Sequence, residues 1–143
     1  QKISQKVKAI IVMNLESKKI LEEDYNIPKN LIFYIPHGIP SVPLSDGQKE
    51  KKELKLENNI VLSTYGLISA GKGIEYFIQA LSEVVKYFPN VKYLILGETH
   101  PIVKRKEGEK YRNFLKSEVR RLGLQKNVWF YNKYLNTKDI EYF

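Results

Sequence analysis

The chain has 143 residues, no cysteine and a formal net charge of +8. That length suits one ordinary domain, and a composition 43% hydrophobic and 12% aromatic supports a packed core rather than disorder. The lack of cysteine excludes disulfides, thiolate metal sites and a cysteine nucleophile. The basic balance favours anionic partners such as phosphates, nucleic acid or acidic headgroups without choosing among them. No apolar run is long enough to cross a bilayer. The opening "QKISQKVKAIIVMN" shows no signal-peptide pattern and does not begin with Met, so the chain reads as a piece of a longer protein.

In chain order, "AIIVM" (Ala9 to Met13) has the length of a strand. "LESKKILEEDYNIP" reads as a helix with Ile20 and Leu21 on its apolar face, ended before Pro28. "LIFYI" (Leu31 to Ile35) is a second strand, and the prolines and glycine of "PHGIPSVP" forbid a regular element after it. These parts form a strand-helix-strand segment over 1–43. The charged stretch 44–59, "LSDGQKEKKELKLENN", reads as a linker or surface loop. From 60 onward the pattern is regular. "IVLSTYG" is a strand, and Ile74, Phe77, Ile78, Leu81 and Val85 recur at helical spacing. "VKYLILG" is the next strand, and "ETHPIVKRKEGE" (Glu98 to Glu109) reads as a loop. Tyr111, Leu115, Val119 and Leu122 mark a second helix, with Gly123 suited to its C-terminal cap. "NVWFYN" is the fifth strand, and "LNTKDIEYF" looks like a helix start capped by Thr137. Strands alternating with helices, and runs such as "YLIL", predict an α/β fold: a Rossmann-like open parallel sheet with helices on both faces.

The stretch "GLISAGKG" (Gly66 to Gly73) joins a strand to a helix, where ligands of open α/β sheets bind. Helix N-terminal amides and the helix dipole favour an anion there. Gly71 and Gly73 permit close backbone approach, and Lys72 adds a full charge, so a phosphate or diphosphate is the expected ligand. The pattern G-x-x-x-x-G-K lacks the hydroxyl residue that completes a P-loop, because Gly73 follows the lysine. The next strand also ends in Gly97 and Glu98 rather than a well-placed metal-binding acid. A P-loop NTPase is therefore a minor alternative.

Three segments in series resemble retaining glycosyltransferases of family 4, which have the GT-B fold. "IFYIPHGIP" is similar to their "vIPnG(v/i)". "YGLISAGKGIEYFIQALSEVVKYFPNVKYLILGETHP" is similar to the stretch that carries "KG" and a later "v-G". "LGLQKNVWFYNKYLNTKDIEYF" is similar to "lgl-x-(x)-nV-x-F-x-G-x-(v/l)". The resemblance runs from about Ala9 to Phe143. It implies the end of an acceptor-binding N-terminal domain over 1–43 and a nucleotide-sugar-binding domain over 60–143, incomplete at its C-terminus, together part of the C-terminal half of a GT-B fold.

By the same resemblance, Lys72, with Gly71 and Gly73, would hold the donor diphosphate. Gly66, Leu67, Gly97, His100, Tyr131, Asn132 and Lys133 would line the donor site, and His37 and Gly38 would lie at the cleft. The implied substrate is a nucleoside-diphosphate sugar, with a carbohydrate or lipid-linked acceptor, no cofactor and no metal. The implied location is cytoplasmic, and the charge is compatible with peripheral contact at a membrane's cytoplasmic face. Three departures stand out. Leu67 replaces an arginine found in many relatives, the second glycine after Gly97 is missing, and the family's E-x(7)-E segment would fall beyond Phe143, which leaves the catalytic carboxylates outside this chain and the fragment by itself inactive.

Other residues read more plainly. His37 suits a turn. Trp129 and Tyr65 suit packing. No D-x-D triplet or paired histidines suggest metal. The "KRK" run (Lys104 to Lys106), with Arg112, Arg120 and Arg121, raises the alternative of a basic nucleic-acid-binding module. Interleaved Glu107, Glu109 and Glu118 and the lack of stacking aromatics favour a solvated face instead.

Overall fold

The computed structural model describes residues 4–39, 41, 46–136 and 139. Two compact units divide between Ser41 and Val42. In the first, strands β1 (Ile10–Val12) and β2 (Ile32–Tyr34) pair in parallel, joined by helix α1 (Leu15–Glu23). Asn14 caps α1 by accepting from the Ser17 N–H at 2.6 Å. Val12, Ile27 and Ile32 form a small cluster, against which Leu21 packs. Ile20, expected beside Leu21 on the buried face, is exposed instead. One residue is a 100° step around a helix, and a stripe this narrow admits only one of the two.

The second unit holds a three-stranded parallel sheet in the order β3 (Ile60–Tyr65), β4 (Val91–Leu96), β5 (Val128–Tyr131). Helix α3 (Ile74–Tyr87) crosses from β3 to β4. Helices α4 (Pro101–Glu107) and α5 (Lys110–Arg121) lie between β4 and β5. This is the α/β fold that the strand-helix alternation predicts. The strand period of two then divides the side chains. Val91, Tyr93, Ile95 and Val128 face α3 and α5, whose Ile74, Ile78, Leu81, Leu115 and Val119 complete the main core. Burying each such aliphatic side chain stabilises by about 1.5–3 kcal/mol. Leu94 and Leu96 face the other side and meet Leu56, with Leu54, Val61 and Tyr131 at the margin.

Two segments read as loops are helical. The charged stretch contains α2 (Gln48–Glu53), and the following Leu56 is only 1% exposed. It is a covering element for the second sheet face. The stretch after β4 contains α4, which starts at Pro101 behind the His100 cap. Proline at the first helical position is a favourable start. Neither helix has a buried residue of its own, so neither leaves an apolar stripe to read. Phe77 is half-exposed but packs on Tyr93, with ring centroids 4.3 Å apart. Trp129, expected in the core, is 41% exposed on the second sheet face. Thr137 lies outside the described residues.

Candidate functional site

The carboxyl ends of the three strands carry the candidate site. The chain leaving β3 stays extended and runs beside the chain leaving β4. The Gly66 N–H donates to the Leu96 carbonyl at 2.9 Å, and the Ile68 N–H to the Glu98 carbonyl at 2.8 Å. Ile68 and Thr99 pair as an isolated parallel bridge. Gly97 is needed for this crossing. Its φ is +138°, and a Cβ there would lie 2.1 Å from the Gly66 carbonyl oxygen. The close approach that demands a glycine at 97 is thus to Gly66.

Past Ile68 the chain makes a 3-10 turn over Ala70–Lys72 and enters α3 through Gly73, whose φ is +62°. A left-handed residue at 73 explains the missing P-loop hydroxyl, since serine or threonine is strained in that conformation. Gly71, in contrast, has no positive φ, and a side chain there would meet open space, so the local backbone does not itself demand a glycine at 71. Lys72 reaches back from the turn. Its Nζ donates to the Tyr65 carbonyl at 3.1 Å and lies over Gly66, 3.3 Å from where a Cβ would be.

Beyond β3 and β4 is a cavity of about 230 Å³ lined by Tyr65, Gly66, Leu67, Gly97, Glu98, Tyr134 and Leu135. It brings together three of the residues expected to line a donor site. It also adds Tyr65, which is 63% exposed rather than packed inside. None of these lining residues is a cation, so the place of the arginine missing at Leu67 is not filled from the cavity wall.

The amino end of α3 differs from expectation. The Tyr111 hydroxyl, from α5, donates to the carboxylate of Glu75, so an acidic side chain already stands in the first turn of α3. Burial first, and then the Glu75 carboxylate, hold the Tyr111 phenol well above an ordinary tyrosine.

The profile of the family Glycosyl transferases group 1 matches residues 45–143. The chain belongs to this family. An uncharacterized glycosyltransferase, MJ1059 of Methanocaldococcus jannaschii, is 30% identical over 131 residues, which cover 89% of this chain and 32% of that protein. Among solved structures, Alr3699/HepE of Anabaena, in complex with UDP, has a TM-score of 0.70 at 22% identity over 94% of this chain and 35% of that one. A glycosyltransferase from Rickettsia africae has a TM-score of 0.69 at 19% identity, covering 94% of this chain and 35% of that one. The chain thus spans about a third of the length of these relatives, and the structural likeness establishes the shared GT-B fold.

Within this group 1 chain, the remaining predicted residues separate. His100 serves as the cap of α4, its Nδ1 accepting from the Ile102 N–H at 3.2 Å. Tyr131 packs into the Leu56 cluster, and the Lys133 ammonium lies 5.7 Å from the Tyr131 ring centre. His37 Nδ1 donates to the carbonyl of the adjacent Gly38 at 3.0 Å in a stretch that forms no turn, and a side chain at Gly38 would meet open space. Both belong to the first unit.

Asn132 leads to the residue that sequence reasoning misplaced. Arg112, grouped with the solvated basic run, is 5% exposed. Its Nε donates to Glu109 at 3.0 Å and Thr99 at 3.2 Å, its Nη2 donates to the Gly97 carbonyl at 2.9 Å, and its Nη1 donates to Asn132. The signal was available. Positions 112, 115 and 119 share one helical stripe, so Arg112 is a charge placed in an apolar row. The rest of the basic run is partly engaged as well, with Arg121 paired to Glu118 at 2.6 Å and Lys104 near Glu109 at 3.7 Å. Among the described residues no helix is long and apolar enough to cross a membrane.

Proposed function

We propose that this chain supplies the nucleotide-sugar-binding part of a family 4 retaining glycosyltransferase, which moves a sugar from a nucleoside diphosphate to a carbohydrate or lipid-linked acceptor. The observation that carries this reading is the cavity beyond β3 and β4, with the Lys72 ammonium held over Gly66 at its edge. Base and ribose would occupy the cavity between Leu67 and Tyr134. The diphosphate would extend toward Lys72 and the turn at Gly71 to Gly73. Alr3699/HepE, which shares the fold, has been solved with UDP and with UDP-glucose, which supports a donor of that class.

In this reading Lys72 exchanges the Tyr65 carbonyl for a phosphate oxygen. As the glycosidic bond breaks, negative charge grows on the leaving diphosphate, and a fixed ammonium stabilises that charge more than the ground state. A lysine and backbone amides can do this without a metal, so we expect transfer to tolerate chelators. Retention and family 4 membership rest on the motif order, and the acceptor would be held by residues outside this chain.

The test is calorimetric titration of the full-length protein with UDP and with GDP. Lys72→Ala is expected to weaken nucleotide binding by about tenfold or more, the scale of a lost charge-assisted bond, while the thermal midpoint holds. Equal affinity in the variant would sink the assignment of Lys72. Absence of binding to either nucleotide would sink the reading as a whole.

A further inference from the structure

We propose that Arg112 is a positioning residue: through Asn132 and the Gly97 carbonyl it sets the spacing of the two loops that wall the cavity beyond β3 and β4. The inference rests on reading that cavity as the nucleotide site. One guanidinium reaches both walls. Nη2 holds the Gly97 carbonyl, next to Glu98 of the lining, and Nη1 holds Asn132, two residues before Tyr134 of the lining. Nε is fixed by Thr99 and Glu109, so the fork itself is anchored. The side chains of Thr99, Glu109, Arg112 and Asn132 wall a separate polar cavity of about 270 Å³ behind the Gly97 loop.

One observation separates positioning from plain stability. A buried ion pair contributes little over a well-packed apolar residue. Position 112 lies in line with buried Leu115 and Val119, where an apolar side chain is the simple solution. What the planar fork adds is a fixed direction for several bonds at once.

The experiment measures UDP affinity, thermal midpoint and backbone amide exchange in the full-length protein for Asn132→Gly, Arg112→Met, the double variant, and the core control Val119→Ala. Coupled neighbours give non-additive effects. Asn132→Gly is expected to weaken UDP binding by about fivefold, with a smaller loss of thermal midpoint than the control, and the double variant is expected to bind UDP no worse than Arg112→Met. Arg112→Lys, which keeps the charge but not the fork, should recover less than half of the loss in affinity. The proposal is overturned if Asn132→Gly binds UDP like the unmodified protein. It is also overturned if Val119→Ala weakens binding as much for the same loss of midpoint. Failure of the unmodified protein to bind UDP would instead overturn the nucleotide reading. Exchange then decides the clasp: faster exchange at 97–99 and 131–135 in Asn132→Gly upholds it, and unchanged exchange removes it.

Discussion

A methyl group added at Gly97 would lie 2.1 Å from the Gly66 carbonyl oxygen, and both partners are backbone. Neither can swing aside, and φ at 97 is +138°. Gly97→Ala should therefore cost about 3 kcal/mol or more, at the high end for a single substitution. Gly73→Ala meets only the Tyr76 ring edge and a left-handed backbone, and should cost about 1 kcal/mol. Gly71→Ala should fall within about 0.5 kcal/mol of zero. Urea unfolding of the three variants checks the order, and an equal cost at 71 and 97 would contradict the geometry. In the sequence all three glycines look alike, because the atom that distinguishes Gly97 belongs to a loop some thirty residues away. Glu109 gives a pH test at the same scale. The Thr99 hydroxyl above all holds its carboxyl below the ordinary 4.5; burial opposes this, and Arg112 and Lys104 add to the lowering. A lowered folded-state value contributes stability that is present above pH 4.5 and lost as pH falls through the folded value. Glu109→Gln should thus lower the urea midpoint at pH 7, and the gap from the unmodified protein should narrow as pH falls below 4.5 and through the folded value. A gap that does not shrink on acidification would mean that packing, not ionisation, is the cause.

At the scale of elements, apolar periodicity located α3, β4, α5 and β5, because each buries a face against the same core, and β3, which has no buried residue, was legible from its run of strand-forming residues. The same rule could not see α2 or α4, whose own residues all remain at the surface. What α2 contributes is the placement of the residues after it. The Leu56 N–H donates to the Lys51 carbonyl at 2.7 Å, and Lys55 takes a left-handed φ of 58°. The chain turns there and drives Leu56 against Leu94 and Leu96. A stretch dominated by lysine and glutamate thus ends in a core residue. Leu56→Ala should cost about 2–5 kcal/mol, the range for emptying a buried leucine site. Lys49→Ala, on the exposed surface of the same helix, should change stability by less than about 0.5 kcal/mol. Denaturant unfolding separates the two, and a Leu56→Ala cost near zero would return the segment to the status of a linker. The loops that wall the cavity beyond β3 and β4 were legible by their place after the strands. The pairing of Arg112 with Asn132 was not, since it needs the register of α5 against β5 to bring them together.

For the whole molecule, the two faces of the sheet in the second unit are unequal. Helices α3 and α5 close one face, while among the described residues the other is covered by the Leu56 segment and Leu135 over Leu94 and Leu96. Beside that segment lies a cavity of about 640 Å³ lined by Leu54, Leu94, Leu96, Val128, Trp129, Phe130, Tyr131 and Asp139. Trp129 is the sole tryptophan of the chain, so its fluorescence reports on this face alone. Its neighbour across the ladder is Leu94, and the Lys92 ammonium lies 5.9 Å from its ring centre. A ring this exposed, in a polypeptide limited to residues 1–143, should emit at long wavelength and be quenched efficiently by acrylamide. Trp129→Ala should then cost less than the roughly 3–5 kcal/mol of a fully buried aromatic, because much of the ring has no packing to lose. Apolar area of this kind also drives association. If a second copy covers the face, quenching should weaken as concentration rises. A shielded emission independent of concentration would mean that a segment of the same polypeptide fills the cavity, and the open face described above would be wrong.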